Sequence, residues 1–238
     1  MKAYLSLTRQ FFAQIWSDVM LAVLLFLPLA TGFLFRFGLP VLEGYLCGRF
    51  STDALLAPYY PVFDLLLAAM TPLMFSAAGA MVILDEADAG IARAIAVTPV
   101  GRKGYLASRI GVPALLAAAY CAGLLAIFKL SPQSAPRLLL LALCCGALGV
   151  AVALLISAYA QNKVEGMALS KLSGLFFIGL PVALLVPPPV KYLAGILPTL
   201  WMTELATGGS LLLAAPALAS SVLWAALFAR HFAKKILG

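Results

Sequence analysis

Charge is what this chain has least of. Only 11% of its 238 residues are Asp, Glu, Lys or Arg, 64% are hydrophobic, and the mean hydropathy is +1.06. Soluble domains carry about 25% charged residues, so a soluble fold of this composition lacks the polar surface to cover itself. Lipid solvates apolar side chains directly, provided each crossing segment satisfies its own backbone as a helix. A membrane β-barrel would need alternating polarity, and the apolar runs here are continuous. The expected fold class is an all-α integral membrane protein, 1–238 forming a single transmembrane domain.

Catalytic side chains are as scarce. The one histidine, His231, sits in a basic C-terminal stretch where a solvated role is expected, and a single histidine cannot build an HExxH zinc site. No Gly-Lys dipeptide occurs, so there is no GxxxxGK[ST] phosphate loop. If ATP drives this chain, another protein binds it. The four cysteines, Cys47, Cys121, Cys144 and Cys145, lack metal-ligand spacing, and three lie in apolar runs where they read as packing residues. Of the nine acidic residues, Asp18 and Asp64 stand near span ends within reach of the interface, and no buried carboxylate pair is expected. Asp88 to Arg93, DAGIAR, is similar to the DGxxAR opening of the CDP-alcohol phosphotransferases. Its glycine comes one place late, however, and no aspartate follows Asp88, so their metal site cannot be assembled.

What is present is a set of spans. Six can be drawn near the 20 residues that a hydrocarbon core of about 30 Å demands: Val19 to Phe35, Leu65 to Leu84, Ile110 to Phe128, Leu138 to Tyr159, Leu172 to Val186 and Leu211 to Phe228. The net charge of +7 fits the positive-inside rule better than nucleic-acid binding. With the amino terminus inside, Lys2, Arg9, Arg93, Arg102, Lys103, Arg109, Lys163, Lys171, Arg230, Lys234 and Lys235 fall on the cytoplasmic side. Only Arg36, Arg49, Lys129, Arg137 and Lys191 fall outside. Both termini are therefore expected in the cytoplasm.

Residues 1–18 are expected to lie in the membrane interface as an amphipathic helix, with Tyr4, Leu7, Phe11 and Ile15 on one side and Ser6, Arg9, Gln10 and Ser17 on the other. A cleavable signal peptide fits less well, because the apolar run is long and no small-x-small site follows. Arg36 to Tyr60 reads as a long outer loop. The 187–210 segment, with Tyr192, Ile196, Leu200, Trp201 and Leu205 interrupted by Pro198, reads either as short helices dipping into the outer leaflet or as an interfacial loop anchored by Trp201. Glycines and prolines recur within the spans, where they permit close approach and kinks.

The most informative stretch is Asp85 to Pro99, DEADAGIARAIAVTP, followed by Arg102, Lys103 and Arg109. Asp85, Glu86 and Asp88 precede an expected helix from Gly90 to Val97, where acids favour the positive amino terminus, and Pro99 after Thr98 stops it. Ile91, Ile95 and Ala94 make a short apolar face. The plain alternative is a capped, solvated turn with topogenic charges.

In Glu86, Asp88, Gly90, Thr98, Pro99, Arg102 and Arg109 this stretch resembles the loop between the second and third spans of type-2 ABC transporter permeases, and more loosely the small permeases of fluoroquinolone export. Ile91 replaces the family's usual Thr, and Asp88 replaces its second Glu. The resemblance implies a permease in the bacterial cytoplasmic membrane, with 85–109 as a cytoplasmic coupling loop. It implies two ABC ATPase subunits that hold ATP and Mg, and a second permease chain, identical or related, with membrane lipids around them. Asp85, Glu86, Asp88, Gly90, Ile91, Ile95, Thr98, Pro99 and Arg102 would couple to the ATPases, and the path between the two permeases would carry a hydrophobic or amphipathic substrate outward. A membrane scaffold or sensor without transport, and a lipid-modifying enzyme, are the rival functions.

Overall fold

Six helices are long and apolar enough to cross a membrane: Leu21–Phe50, Ala57–Asp88, Gly104–Phe128, Ala135–Tyr159, Lys163–Leu185 and Leu211–Ala233. The computed structural model describes residues 9–10, 13–96 and 101–236, with the backbone alone for Met20, Ala92, Arg93, Ala96, Arg102, Lys103 and residues 234–236. No strand occurs among the described residues.

The second and fourth spans form the centre. In their apolar stretches 72% and 67% of the residues are buried, against 17% in the first span and 17% in the fifth. Small residues allow this packing. A Cβ on Gly149 would lie 2.8 Å from Ser76 Oγ and 2.9 Å from Pro72 Cβ, so only glycine lets the two central helices approach here. The Ser76 hydroxyl sits at 2.6 Å from both the Pro72 and Gly149 carbonyls. Pro72 has no N–H for the carbonyl of Ala68, four residues earlier. That carbonyl accepts from Cys121 Sγ on the third span at 3.2 Å, so Cys121 supplies the donor that the proline lacks as well as filling space.

Two prolines reshape helices without ending them. Pro40 and Pro113 each follow, by two residues, a widened π turn, Leu34–Gly38 and Ala107–Gly111. A helical proline collides with the carbonyl four residues before it, and the extra residue in a π turn relieves that collision. The expected outer loop from Arg36 is therefore helical as far as Phe50, and only the following stretch turns back. The fifth span likewise starts earlier than expected. Lys163–Leu172 is already helical, capped by the Asn162 side chain accepting from Glu165 N–H at 3.0 Å, so Lys171 stands within this helix rather than before it.

Residues 13–17 are helical and Asp18 interrupts, its carboxylate accepting from Leu21 N–H at 3.4 Å to start the first span. Ile15 is buried and Trp16 exposed, its ring edge-on to Phe26. Arg9, Gln10 and Ser17 are exposed, as expected of the polar side, while Tyr4, Ser6, Leu7 and Phe11 lie outside the described residues.

At the opposite end, carboxylates hold backbone. Glu43 accepts from the N–H groups of Leu55, Leu56 and Ala57 at 2.8, 2.6 and 3.3 Å, capping the second span from the first. Asp64, expected at the interface, is instead buried. It accepts from Leu130 N–H at 2.7 Å, Ser131 N–H at 2.9 Å and the Ser131 hydroxyl. The 187–210 segment folds back on the bundle through the Pro198–Ala206 helix, which buries Leu200, Met202 and Leu205. Lys191 pairs with Glu204, and this charge-assisted hydrogen bond raises the lysine pKa above its ordinary value. Replacing Asp64 by Ala leaves the half-buried Leu130 N–H and the buried Ser131 N–H and hydroxyl without their acceptor. A loss of about 2–4 kcal/mol is expected, read as a lower unfolding temperature in detergent, with Asp64→Asn intermediate.

Candidate functional site

The second span runs as one helix to Asp88 and is closed by glycine. Ala89 N–H donates to Asp85 O at 3.0 Å and Gly90 N–H to Ala87 O at 3.1 Å. Gly90 has φ +71°, and no atom lies within 4 Å of where its Cβ would be, so backbone conformation rather than space calls for glycine. A short helix, Ile91–Ala96, follows at once. Gly101, with φ +63°, opens the Gly101–Leu106 helix that leads through the widened turn into the third span.

The three acids do precede the short helix, but each sits in the last turn of the second span. There a negative charge opposes the helix dipole, so basic residues from elsewhere must compensate. Glu86 and Arg109 provide the tightest case. Arg109 Nε donates to Glu86 Oε2 at 2.9 Å and Nη2 to Oε1 at 2.5 Å, with both side chains 1% exposed. The arginine emerges from the π turn ahead of Pro113, and its guanidinium carbon lies 5.9 Å from the centre of the buried Tyr105 ring. This two-pronged pair fixes the end of the second span to the start of the third, and the short helix hangs between those two fixed points. The Glu86 carboxylate is thus buried against Arg109, at the base of the loop rather than on its surface.

Asp85 has a different neighbour. Lys163, at the start of the fifth span, reaches Asp85 at 2.9 Å and Asp18 at 3.0 Å. The beginnings of the first and fifth spans and the end of the second are thus gathered on one lysine, all three groups partly exposed. Asp88 and Gly90 are exposed, and Ile91 is 41% exposed beside a shallow groove of 510 Å³ that Gln14, Ser17 and Glu86 also line. Ile95 packs against the core and faces partly outward. Thr98 and Pro99 lie outside the described residues, and Arg102 is described by its backbone alone.

Above the Lys163 cluster a cleft of 810 Å³ opens between the first, second and fifth spans. Its wall carries Met70, Met74, Met81 and Met167, together with Leu21, Leu73 and Phe177. Methionine is unbranched and polarizable, which suits a surface that must accept varied apolar shapes. Met70, Leu73, Met74, Ala77 and Met81 share one helical face by spacing alone, a signal readable in the sequence but overlooked there. Lys163 and Asp18, whose pairing depends on packing between distant segments, had no such signal.

A family model described as "Rv2686c-like: Fluoroquinolones export permease protein Rv2686c-like" matches residues 11–232. The chain is similar to "Fluoroquinolones export permease protein Rv2686c" and "Fluoroquinolones export permease protein MT2760" of Mycobacterium tuberculosis strains H37Rv and CDC 1551. Each is 30% identical over 173 residues, which covers 69% of this chain and 66% of the relative, so the chain spans just under two thirds of their length. No solved structure matches.

Glu86→Ala strands a buried guanidinium, and a loss of about 3–5 kcal/mol is expected. The double variant Glu86→Met with Arg109→Leu, which removes both charges, should recover most of it in thermal unfolding. Equal damage from the single and double variants would contradict an uncompensated-charge origin.

Proposed function

Because the chain belongs to the Rv2686c-like family of fluoroquinolones export permeases, we propose that it is the membrane-spanning subunit of an ATP-driven ABC exporter in the bacterial cytoplasmic membrane, with the 85–109 loop and both termini in the cytoplasm. One observation carries the reading: a short helix with an exposed Ile91 is clamped between two spans by a buried ion pair, directly below an apolar cleft.

Two ATPase subunits, holding ATP and Mg, dock on the Ile91–Ala96 helix. Ile91 fits a groove on the ATPase, and Asp85, Asp88, Gly90, Ile95, Thr98, Pro99 and Arg102 shape and flank that contact. Glu86 acts from behind, through Arg109. When nucleotide draws the ATPases together, the helix is displaced, and the Glu86–Arg109 pair passes the displacement to the second and third spans as one body. The cleft beside the second span is half of the path. Its other half comes from a second permease chain, identical or related, which covers the exposed apolar faces of the first and fifth spans. The substrate is hydrophobic or amphipathic, with drugs of the class named for the relatives as candidates, and multidrug resistance is the corresponding phenotype.

Pull-down of the tagged chain from the native membrane should recover an ATP-binding subunit, and substrate-stimulated ATP turnover should require both. Ile91→Asp leaves the bundle folded, since the side chain is exposed, and should lower that stimulated turnover by roughly tenfold or more. If no ATP-binding partner is recovered, and Ile91→Asp leaves turnover unchanged, the chain is a scaffold or sensor and the exporter reading fails.

A further inference from the structure

Lys171 is the charge that the coupling scheme leaves unused. It lines the cleft, and its place on the fifth helix is eight residues beyond Lys163, about 12 Å along the axis toward the bilayer centre. Lys163, Met167, Ser170, Lys171 and Gly174 share one face at helical spacing, all lining the same cleft, so this face runs from the charged mouth into the apolar interior. Lys163 is occupied by Asp18 and Asp85. Lys171 is exposed and has no carboxylate partner among the described residues, while Asp18, the one acid in the cleft lining, is engaged at the mouth. An unpaired cation at membrane depth is costly and is retained where it meets a pathway or a ligand.

We propose that Lys171 anchors the acid group of an amphiphilic anion, whose apolar body lies on the methionine wall formed by Met70, Met74 and Met167. This rests on the reading of the cleft as half of a transport path and narrows it to a substrate class: amphiphiles with one carboxylate or phosphate group and a flat or flexible apolar body. A neutral amphiphile of the same shape fills the wall and forfeits the charge-assisted hydrogen bond. The anion is either a free carboxylate compound or the headgroup of an anionic lipid, and competition separates the two.

The test is equilibrium binding to the purified chain in phosphatidylcholine vesicles, followed by anisotropy of a fluoroquinolone that carries its carboxylate and of the same compound as its methyl ester. Wild type should bind the acid about tenfold more tightly than the ester, the size expected for one charge-assisted hydrogen bond. Lys171→Gln should abolish that preference by weakening the acid alone, and Lys171→Arg should keep it. Replacing part of the phosphatidylcholine with phosphatidylglycerol then identifies the source. Competition with the acid in wild type and none in Lys171→Gln assigns a lipid headgroup, whereas no competition assigns the free carboxylate compound. If both compounds bind and Lys171→Gln retains the acid preference, the lysine only reaches toward the mouth and this inference falls while the exporter reading stands. If wild type binds neither, the cleft does not hold the amphiphile and this inference falls, while the exporter reading is decided separately by recovery of the ATP-binding partner. Because Lys171 is exposed in the cleft, unfolding temperature should not change between variants, and binding is compared only among those that match wild type in it.

Discussion

The ion pair between Glu86 and Arg109 sets the geometry of the loop end. Two helices that meet at a tight connection would otherwise be free to splay, because lipid gives apolar helix surfaces no reason to prefer one another over solvent. A carboxylate and a guanidinium buried together remove that freedom, since separating them exposes two unscreened charges to a medium that cannot hydrate them. The arginine reaches its partner from a turn that Pro113 has widened. The Ile91–Ala96 helix inherits its position from this arrangement, having only one turn and a half of its own and little capacity to hold itself.

The second span is the member that every other part of the site uses. It supplies Glu86 and Asp85 at one end, Asp64 at the other, and the methionine face of the cleft between them. Pro72 within it is accommodated by neighbours, with Cys121 from the third span on the freed carbonyl and the bare backbone of Gly149 from the fourth span against the ring. The first and fifth spans lean on it from either side and leave the cleft between themselves.

The two ends of the bundle are held by different physics. At the end away from the 85–109 loop, carboxylates accept hydrogen bonds from backbone N–H groups, as Asp64 does from residues 130 and 131 and Glu43 from residues 55 to 57. Such contacts tie down turns. At the loop end, long side chains pair with one another, and Lys163 divides itself between two carboxylates on different spans. The Lys163 pairs are partly exposed, individually weak and exchange readily, so in the exporter reading they rearrange while the buried Glu86–Arg109 pair moves as a unit.

The membrane character, the helical class and the number of spans follow from composition and continuous apolar runs, because transfer of a helix into lipid depends on its summed hydrophobicity and hardly on its neighbours. The resemblance carried by that stretch agrees with the family match over residues 11–232. Where the helices actually begin and end was less legible: Arg36 to Tyr60 reads as a loop, but the helix passes Pro40 by a π turn and runs to Phe50, and the fifth span, expected from Leu172, already starts at Lys163. The pairings of Glu86 with Arg109, of Lys163 with Asp18 and Asp85, and of Asp64 with the turn after the third span were decided only by the tertiary structure. Each joins groups that hydropathy treats identically whether they are buried or solvated, and only packing decides which charge meets which.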